Sequence, residues 1–310
     1  MKVIRDILEF PRLPYAVVTS GTFDGVHIGH QKIIERLVQR ARQAQGQSVV
    51  ITYWPHPRLV LQKDQDSLRL LATIEERIEQ LGQYPIDYLL IIPFTREFAA
   101  LDPAQYVRQI LVDTLQTKVF IIGYDHRFGK GREGNLAYLQ AHTQVFGFTV
   151  EEIPAQDIDQ VAVSSTRIRR ALEQGDIATA NTFLGHPYAV RGKVIHGKKL
   201  GRTIGYPTAN LEVSDPHKLV PAQGIYAVRV KVGETQYGGM LSIGTNPTVG
   251  GSGQTIEVYI FDFKQDIYDQ VITLYFIHYI RPEEKFAGLP ELKAKLQEDQ
   301  EIAQAMLAGL

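Results

Sequence analysis

Tyr15-Ala16-Val17-Val18-Thr19-Ser20-Gly21-Thr22-Phe23-Asp24-Gly25-Val26-His27-Ile28-Gly29-His30 is the stretch on which the reading of this chain turns. Tyr15 to Ser20 reads as a strand, and the residues that follow open a helical pattern running to about Gln45. Glycines at 21, 25 and 29 let backbone approach a ligand closely. The free N–H groups and partial positive charge of a helix start suit a phosphate. His27 and His30, placed there, can hydrogen-bond phosphoryl oxygens as charge rearranges in a transition state. Two plainer readings stand beside this one, a capped surface turn and a zinc site. The glycine between the histidines and the absence of a nearby third ligand weigh against zinc.

Outward from this motif, strand-like segments recur at about 15–20, 48–53, 87–92, 118–123 and 148–153, with helical patterns between them. Ile33, Ile34, Leu37, Val38 and Ala41 share one helical face, and Gly46 can end that helix. Thr73 and Glu76 form a capping-box pair for 74–82, and Asp102-Pro103 reads as N-cap and first helical residue of 103–115. Such alternation predicts an α/β domain with a parallel sheet and ligands at the carboxyl ends of its strands.

The chain has 310 residues, 44% hydrophobic and 22% charged, with a net charge of −1 and no cysteine. Disulfides, thiolate zinc sites and cysteine nucleophiles are thereby excluded. The balance of charge gives no footprint of a nucleic-acid binder. Apolar runs such as Tyr88-Leu89-Leu90-Ile91-Ile92 are strand-sized, so no membrane span is expected. The start of the chain lacks a signal-peptide pattern, and the cytoplasm is the expected address.

Two further segments point to the same crevice. Gly123-Tyr124-Asp125-His126-Arg127-Phe128-Gly129-Lys130-Gly131-Arg132-Glu133-Gly134-Asn135 combines glycines, cations and Asp125, which suits a phosphate and ribose environment or, alternatively, a flexible surface loop. Val163-Ser164-Ser165-Thr166-Arg167-Ile168-Arg169 opens a helix ending near Gly175. Ser or Thr there is ordinarily only a cap. Arginines in a first turn, however, oppose the helix dipole unless an anion lies beside them.

His-x-Gly-His in a strand–loop–helix setting resembles the signature of the nucleotidyltransferase superfamily. With Tyr53-Trp54-Pro55-His56-Pro57, the 123–135 loop and the Ser164–Arg169 segment, the first part resembles the FMN adenylyltransferase module of bacterial bifunctional riboflavin kinase/FAD synthetases. The resemblance implies ATP-phosphate handling by His27, His30, Ser164, Ser165, Thr166 and Arg169. Gly21, Phe23, Asp24 and Gly29 would likewise bind ATP and its phosphates, and His56 and Asp125 would lie near phosphates or flavin. Tyr53 and His126 depart from the family pattern, which favours Phe at both places.

From Phe183-Leu184-Gly185-His186-Pro187 onward the pattern changes to short strands, at 188–196, 226–232, 237–243, 255–263 and 270–280, followed by a helix over about 290–307. This predicts a small antiparallel β-barrel over 183–310, after a nucleotidyltransferase domain over 1–182. Gly197-Lys198-Lys199-Leu200-Gly201-Arg202-Thr203-Ile204-Gly205-Tyr206-Pro207-Thr208-Ala209-Asn210 lacks the Walker order. On an extended strand Thr208 and Asn210 point the same way and suit one hard cation such as Mg²⁺. A polar hairpin turn with basic flanks is the plainer alternative.

That stretch, with Gly224-Ile225-Tyr226-Ala227, Gly244-Thr245-Asn246-Pro247-Thr248 and Ile256-Glu257-Val258-Tyr259, is similar to the riboflavin kinase domain. The resemblance implies that Gly201, Thr208 and Asn210 hold Mg·ATP and that Glu257 takes the proton of the ribityl hydroxyl. An exposed strand glutamate is the plain reading of Glu257. Arg281-Pro282-Glu283-Glu284-Lys285-Phe286 resembles the family segment near the flavin ring, with Phe286 open to an ordinary core role. The expected substrates are ATP, riboflavin and FMN, with Mg²⁺ and a monomer or weak homo-oligomer. Alternatives are a kinase with an idle adenylyltransferase half, a flavin- or nucleotide-binding regulator, or a cytidylyltransferase acting on another phosphorylated alcohol.

Overall fold

The structure is a computed structural model that describes residues 1–61, 68–154, 163–197, 200–245 and 254–308. Lys198, Lys199 and the 246–248 part of the Gly244–Thr248 segment lie outside the described residues. The chain divides into two compact units, Met1–Ser164 and Ser165–Leu310.

The first unit is a six-stranded parallel sheet: β1 (Lys2–Ile4), β2 (Ala16–Ser20), β3 (Gln47–Trp54), β4 (Tyr88–Pro93), β5 (Thr117–Gly123) and β6 (Thr149–Ile153), in the order β1-β4-β3-β2-β5-β6. The strands expected from sequence fall where β2 to β6 lie. Alternate residues feed the two faces. Val18, Ile51, Phe120 and Ile122 enter one core cluster, while Val17, Val50, Val119 and Ile121 enter the other. Each such side chain, wholly withdrawn from water, contributes about 1.5–3 kcal/mol. From β2 the chain winds outward through β3 and β4, then returns to β5 on the other side of β2. The β2/β5 boundary is therefore a topological switch point, where open α/β sheets bind ligands.

The helix after β2, α1 (Ile28–Gln43), buries Ile34, Leu37, Val38 and Ala41. Gln45, rather than Gly46, takes the left-handed conformation at its end, with φ 52°. The Thr73–Glu76 capping box is present at the helix Ile74–Leu81, and Asp102 caps Pro103–Tyr106. The expected α-helix over 103–115 departs from plan: Val107–Thr114 is a π-helix.

The second unit is a closed antiparallel barrel of β7 (Tyr188–Ile195), β8 (Ala209–Glu212), β9 (Gly224–Val232), β10 (Thr235–Thr245), β11 (Gln254–Ile260) and β12 (Val271–Arg281), in the order β10-β11-β8-β7-β12-β9. Closure removes the exposed edges of an open sheet. The C-terminal helix, Leu289–Ala308, lies on the barrel. Ala303 and Leu307 join Ala227, Met240 and Phe261 in one cluster, and Arg229 donates to the Leu307 carbonyl. The face of β9 that carries Ala227 and Arg229 is thus covered. Helices Ser165–Glu173 and Ile177–Leu184 belong to this unit by their contacts. Asn181 staples the second of them, donating to the Phe276 carbonyl at 2.9 Å and accepting from the Tyr188 amide at 2.8 Å.

Candidate active sites

The loop after β2 is built under strain. Phe23 and Val26 have φ of 47° and 41°, in the left-handed region, while both side chains are 1% exposed. A non-glycine residue so held costs about 1–3 kcal/mol, which burial of each side chain offsets. The loop is tied at its start, where the Gly21 amide donates to the Ile51 carbonyl. Asp24 is turned onto the backbone of a neighbouring segment, accepting from the Leu71 and Ala72 amides at 3.2 and 3.0 Å. Phe23 packs edge-on to His30 with ring centroids 5.1 Å apart.

His27 is the N-cap of α1, its Nδ1 accepting the His30 amide at 3.4 Å. An Nδ1 that accepts leaves the proton of the neutral ring on Nε2. The two imidazoles stack, with centroids 3.7 Å apart and planes at 16°. Burial, then the His27 ring, then Arg77 hold the His30 pKa well below the usual histidine value. His30 is therefore a neutral imidazole at neutral pH. His56 is buried, its Nδ1 accepting from the Arg58 amide at 3.1 Å.

The loop after β5 reaches the same sheet end. His126 Nε2 lies 3.4 Å from Ser20 Oγ, at the end of β2, and burial with the Arg132 charge lowers its pKa to about 4. Asp125 is exposed. An aromatic group gathers beside this loop: the Tyr53 and Tyr106 hydroxyls are 2.8 Å apart, with Phe94, Phe98 and Phe128 packed around them. Sequence reasoning missed this group because apolar strand ends and core residues share one composition.

Ser164 is exposed, and Ser165, Thr166 and Arg169 lie at the start of the helix Ser165–Glu173.

On the barrel, Glu257 sits in β11 opposite Asn210 of β8 on one side and Ser242 of β10 on the other. Thr208 donates its hydroxyl to Glu257 Oε2 at 3.0 Å. Cross-strand register and strand alternation thus bring Thr208, Asn210 and Glu257 together. Asn210 packs over Gly197, where any Cβ would collide with its carboxamide, and Gly201 lies against the Tyr206 carbonyl in the same way. A cavity of about 410 Å³ opens at Thr208 and is lined by Arg202, Phe263, Lys264, Asp266 and Tyr268. That volume suits a small-molecule ligand.

Arg281, at the end of β12, makes a two-pronged contact with buried Asp299, at 2.8 and 2.7 Å, and its guanidinium stands 5.8 Å from the Phe286 ring centre. Asp299 on the C-terminal helix carried no sequence signal, because its neighbours are an ordinary charged helix. Glu283 accepts from the Ser242 hydroxyl at 3.2 Å. Among the described residues no group of three or more His, Cys, Asp or Glu could hold a metal. The side-chain oxygens of Thr208 and Asn210 instead fit a hard cation held mainly by phosphates and water.

An imidazole pair at the switch point of a parallel sheet, and a strand glutamate beside a cavity on a closed barrel, are groups suited to the chemistry of phosphoryl and nucleotidyl transferases. The FAD synthetase family model matches residues 11–167 and the riboflavin kinase model residues 184–307. A bifunctional riboflavin kinase/FMN adenylyltransferase of Haemophilus influenzae is 38% identical over 98% of this chain and 99% of its own. The Bacillus subtilis protein of that description is 37% identical over 93% and 91%. A solved structure described as a macrolide-efflux protein from Streptococcus pneumoniae is 32% identical, with a TM-score of 0.88 and 98% of both chains covered. The chain belongs to the family of bifunctional riboflavin kinases/FMN adenylyltransferases, enzymes of FMN and FAD biosynthesis. Among the described residues no helix is long and apolar enough to cross a membrane.

Proposed function

We propose that the barrel phosphorylates riboflavin with ATP, giving FMN and ADP, and that the first domain transfers AMP from a second ATP to FMN, giving FAD and pyrophosphate. The observation that carries the assignment is the Thr208–Glu257 contact beside the barrel cavity, set against the His27–His30 pair on a separate unit. In the barrel, Glu257 accepts the proton of the ribityl 5′-hydroxyl as its oxygen attacks the γ-phosphorus, a contribution of roughly 10²–10⁴-fold. Thr208 and Asn210 supply oxygens for Mg²⁺, which when bound offsets phosphate charge. Gly201 allows the phosphates to approach backbone, while Arg281 and Phe286 border the flavin.

In the first domain the FMN phosphate attacks the α-phosphorus of ATP directly and pyrophosphate leaves. His27 and His30 stabilise the transferring group from the helix start, and Ser164, Ser165, Thr166 and Arg169 bind phosphate oxygens. Gly21, Phe23, Asp24 and Gly29 hold the loop in shape, so that Asp24 acts through backbone rather than by touching phosphate. His56, Asp125 and the Tyr53–Tyr106 aromatic group border the flavin. The functional boundary is drawn at 182/183, and the expected setting is a cytoplasmic monomer or weak homo-oligomer.

The test is a time course of the full chain with riboflavin, ATP and Mg²⁺, the flavins being separated by chromatography. FMN first and FAD later is expected. FMN that accumulates without FAD, even from supplied FMN, would refute adenylyl transfer.

A further inference from the structure

Arg77 lies on the helix Ile74–Leu81 and is 0% exposed. Its Nη1 donates to Thr52 Oγ1 at 3.0 Å and to the Tyr53 carbonyl at 3.2 Å. Thr52 in turn donates to the Thr22 carbonyl at 3.1 Å, inside the loop that carries His27 and His30. The guanidinium carbon is 5.7 Å from the Trp54 ring centre. Nε and Nη2 are buried and have no hydrogen-bond partner among the described residues. A buried cation with part of its donor set unpaired is costly to keep. An apolar side chain of similar size would serve better if the position were only core.

The same loop and helix also hold each other at a second point. Asp24 accepts from Leu71 and Ala72, the residues leading into the helix, whose N-cap Thr73 and Glu76 cap each other. Burial lowers the Arg77 pKa, and the Asp24 charge opposes that fall by favouring the guanidinium's charged form. We propose that Arg77 is a positioning residue for adenylyl transfer, fixing the His27–His30 loop through Thr52 and Thr22 and presenting a fixed positive charge beneath it. This rests on the reading that the loop performs that transfer.

The electrostatics agree. Among the described residues His27 and Arg77 are the titratable or charged groups that face His30, and Asp24 faces Arg77; after burial and the His27 ring, the Arg77 charge is the third cause that keeps His30 neutral. Removing that charge lets His30 take a proton at higher pH.

The experiment uses the full chain with FMN, ATP and Mg²⁺, following FAD across pH for Arg77→Met, Arg77→Lys, Thr52→Val and His30→Ala. Histidine NMR is run on the same samples, and riboflavin phosphorylation serves as an internal control. Arg77→Met is expected to lower kcat for FAD roughly 10- to 100-fold. It should also move the acid limb and the His30 titration to higher pH, with the kinase rate unchanged. Arg77→Lys should return the limb without restoring kcat fully, and Thr52→Val should lower kcat without moving the limb. Arg77→Met at the wild-type rate, or slowed with limb and titration unmoved, would overturn the proposal. If Arg77→Met does not fold, wild-type rates in both Arg77→Lys and Thr52→Val overturn it instead. FAD formation that survives His30→Ala would instead overturn the assignment of the loop itself.

Discussion

Glu257→Gln isolates the proton acceptor of the barrel from everything else the side chain does. Glu257 Oε2 accepts the Thr208 hydroxyl at 3.0 Å, and a glutamine keeps a carbonyl oxygen for that bond while losing the basic group. A retained hydrogen bond of ordinary net worth, about 0.5–1.5 kcal/mol, should leave stability almost unchanged. What disappears is general-base assistance of roughly 10²–10⁴-fold, or about 3–5 kcal/mol of barrier at 1.36 kcal/mol per decade. The loss should fall on kcat, with KM for riboflavin and ATP within about threefold, because Thr208 and Asn210 remain in place. The assay is FMN formation under saturating riboflavin, ATP and Mg²⁺, with FAD formation from supplied FMN measured on the same sample. A variant that keeps more than about a tenth of kcat, or that changes KM alone, would refute Glu257 as the base.

Three other outcomes follow from the geometry. Asp299→Ala removes both prongs of the contact that holds the Arg281 guanidinium, whose side chain is 11% exposed, leaving it the Pro282 carbonyl and Glu284, and should cost about 3 kcal/mol; calorimetry should show a loss of roughly 10 °C, with Asp299→Asn intermediate. Gly197→Ala displaces the Asn210 carboxamide, so FMN formation should fall roughly tenfold or more while FAD formation from FMN is kept, as chromatography of both products would show. His126, held neutral to about pH 4, destabilises the fold as pH falls from about 6.5, because the unfolded chain takes the proton first. That fall in pKa is worth on the order of 3 kcal/mol, so melting temperatures at pH 5 and pH 7.5 should differ less for His126→Phe than for the unchanged chain.

The parallel sheet was legible because β2 to β5 are continuous apolar runs with helical patterns between them, and the barrel because its strands alternate. β1 escaped notice, being three residues long and too short for a period to register, while β8, four residues long, showed only in the extended reading of Thr208 and Asn210. The π-helix at Val107–Thr114 is invisible for another reason: i to i+5 bonding, as in the Leu115 amide reaching the Ile110 carbonyl, leaves the apolar content unchanged. His27, His30 and Glu257 stood out by motif, and the register of β8 with β11 explains why Glu257 meets Thr208. Arg77 did not stand out. In Glu75-Glu76-Arg77 it reads as one more exposed helical charge, and only tertiary packing shows that it is buried beneath the histidine loop. Arg281 and Asp299, 18 residues apart, likewise become a pair only when the last helix docks.

The most direct measurement mixes two crippled chains. His30→Ala and Glu257→Gln are each given riboflavin, ATP and Mg²⁺, separately and then together, and the flavins are separated over time. Alone, His30→Ala should stop at FMN, and Glu257→Gln should leave riboflavin almost unchanged yet make FAD when FMN is supplied. Together they should make FAD after a lag, FMN passing through solution from one chain to the other. A mixture that makes FMN but no FAD, or a single variant that has lost both steps while still folded, would contradict two independent sites on one chain.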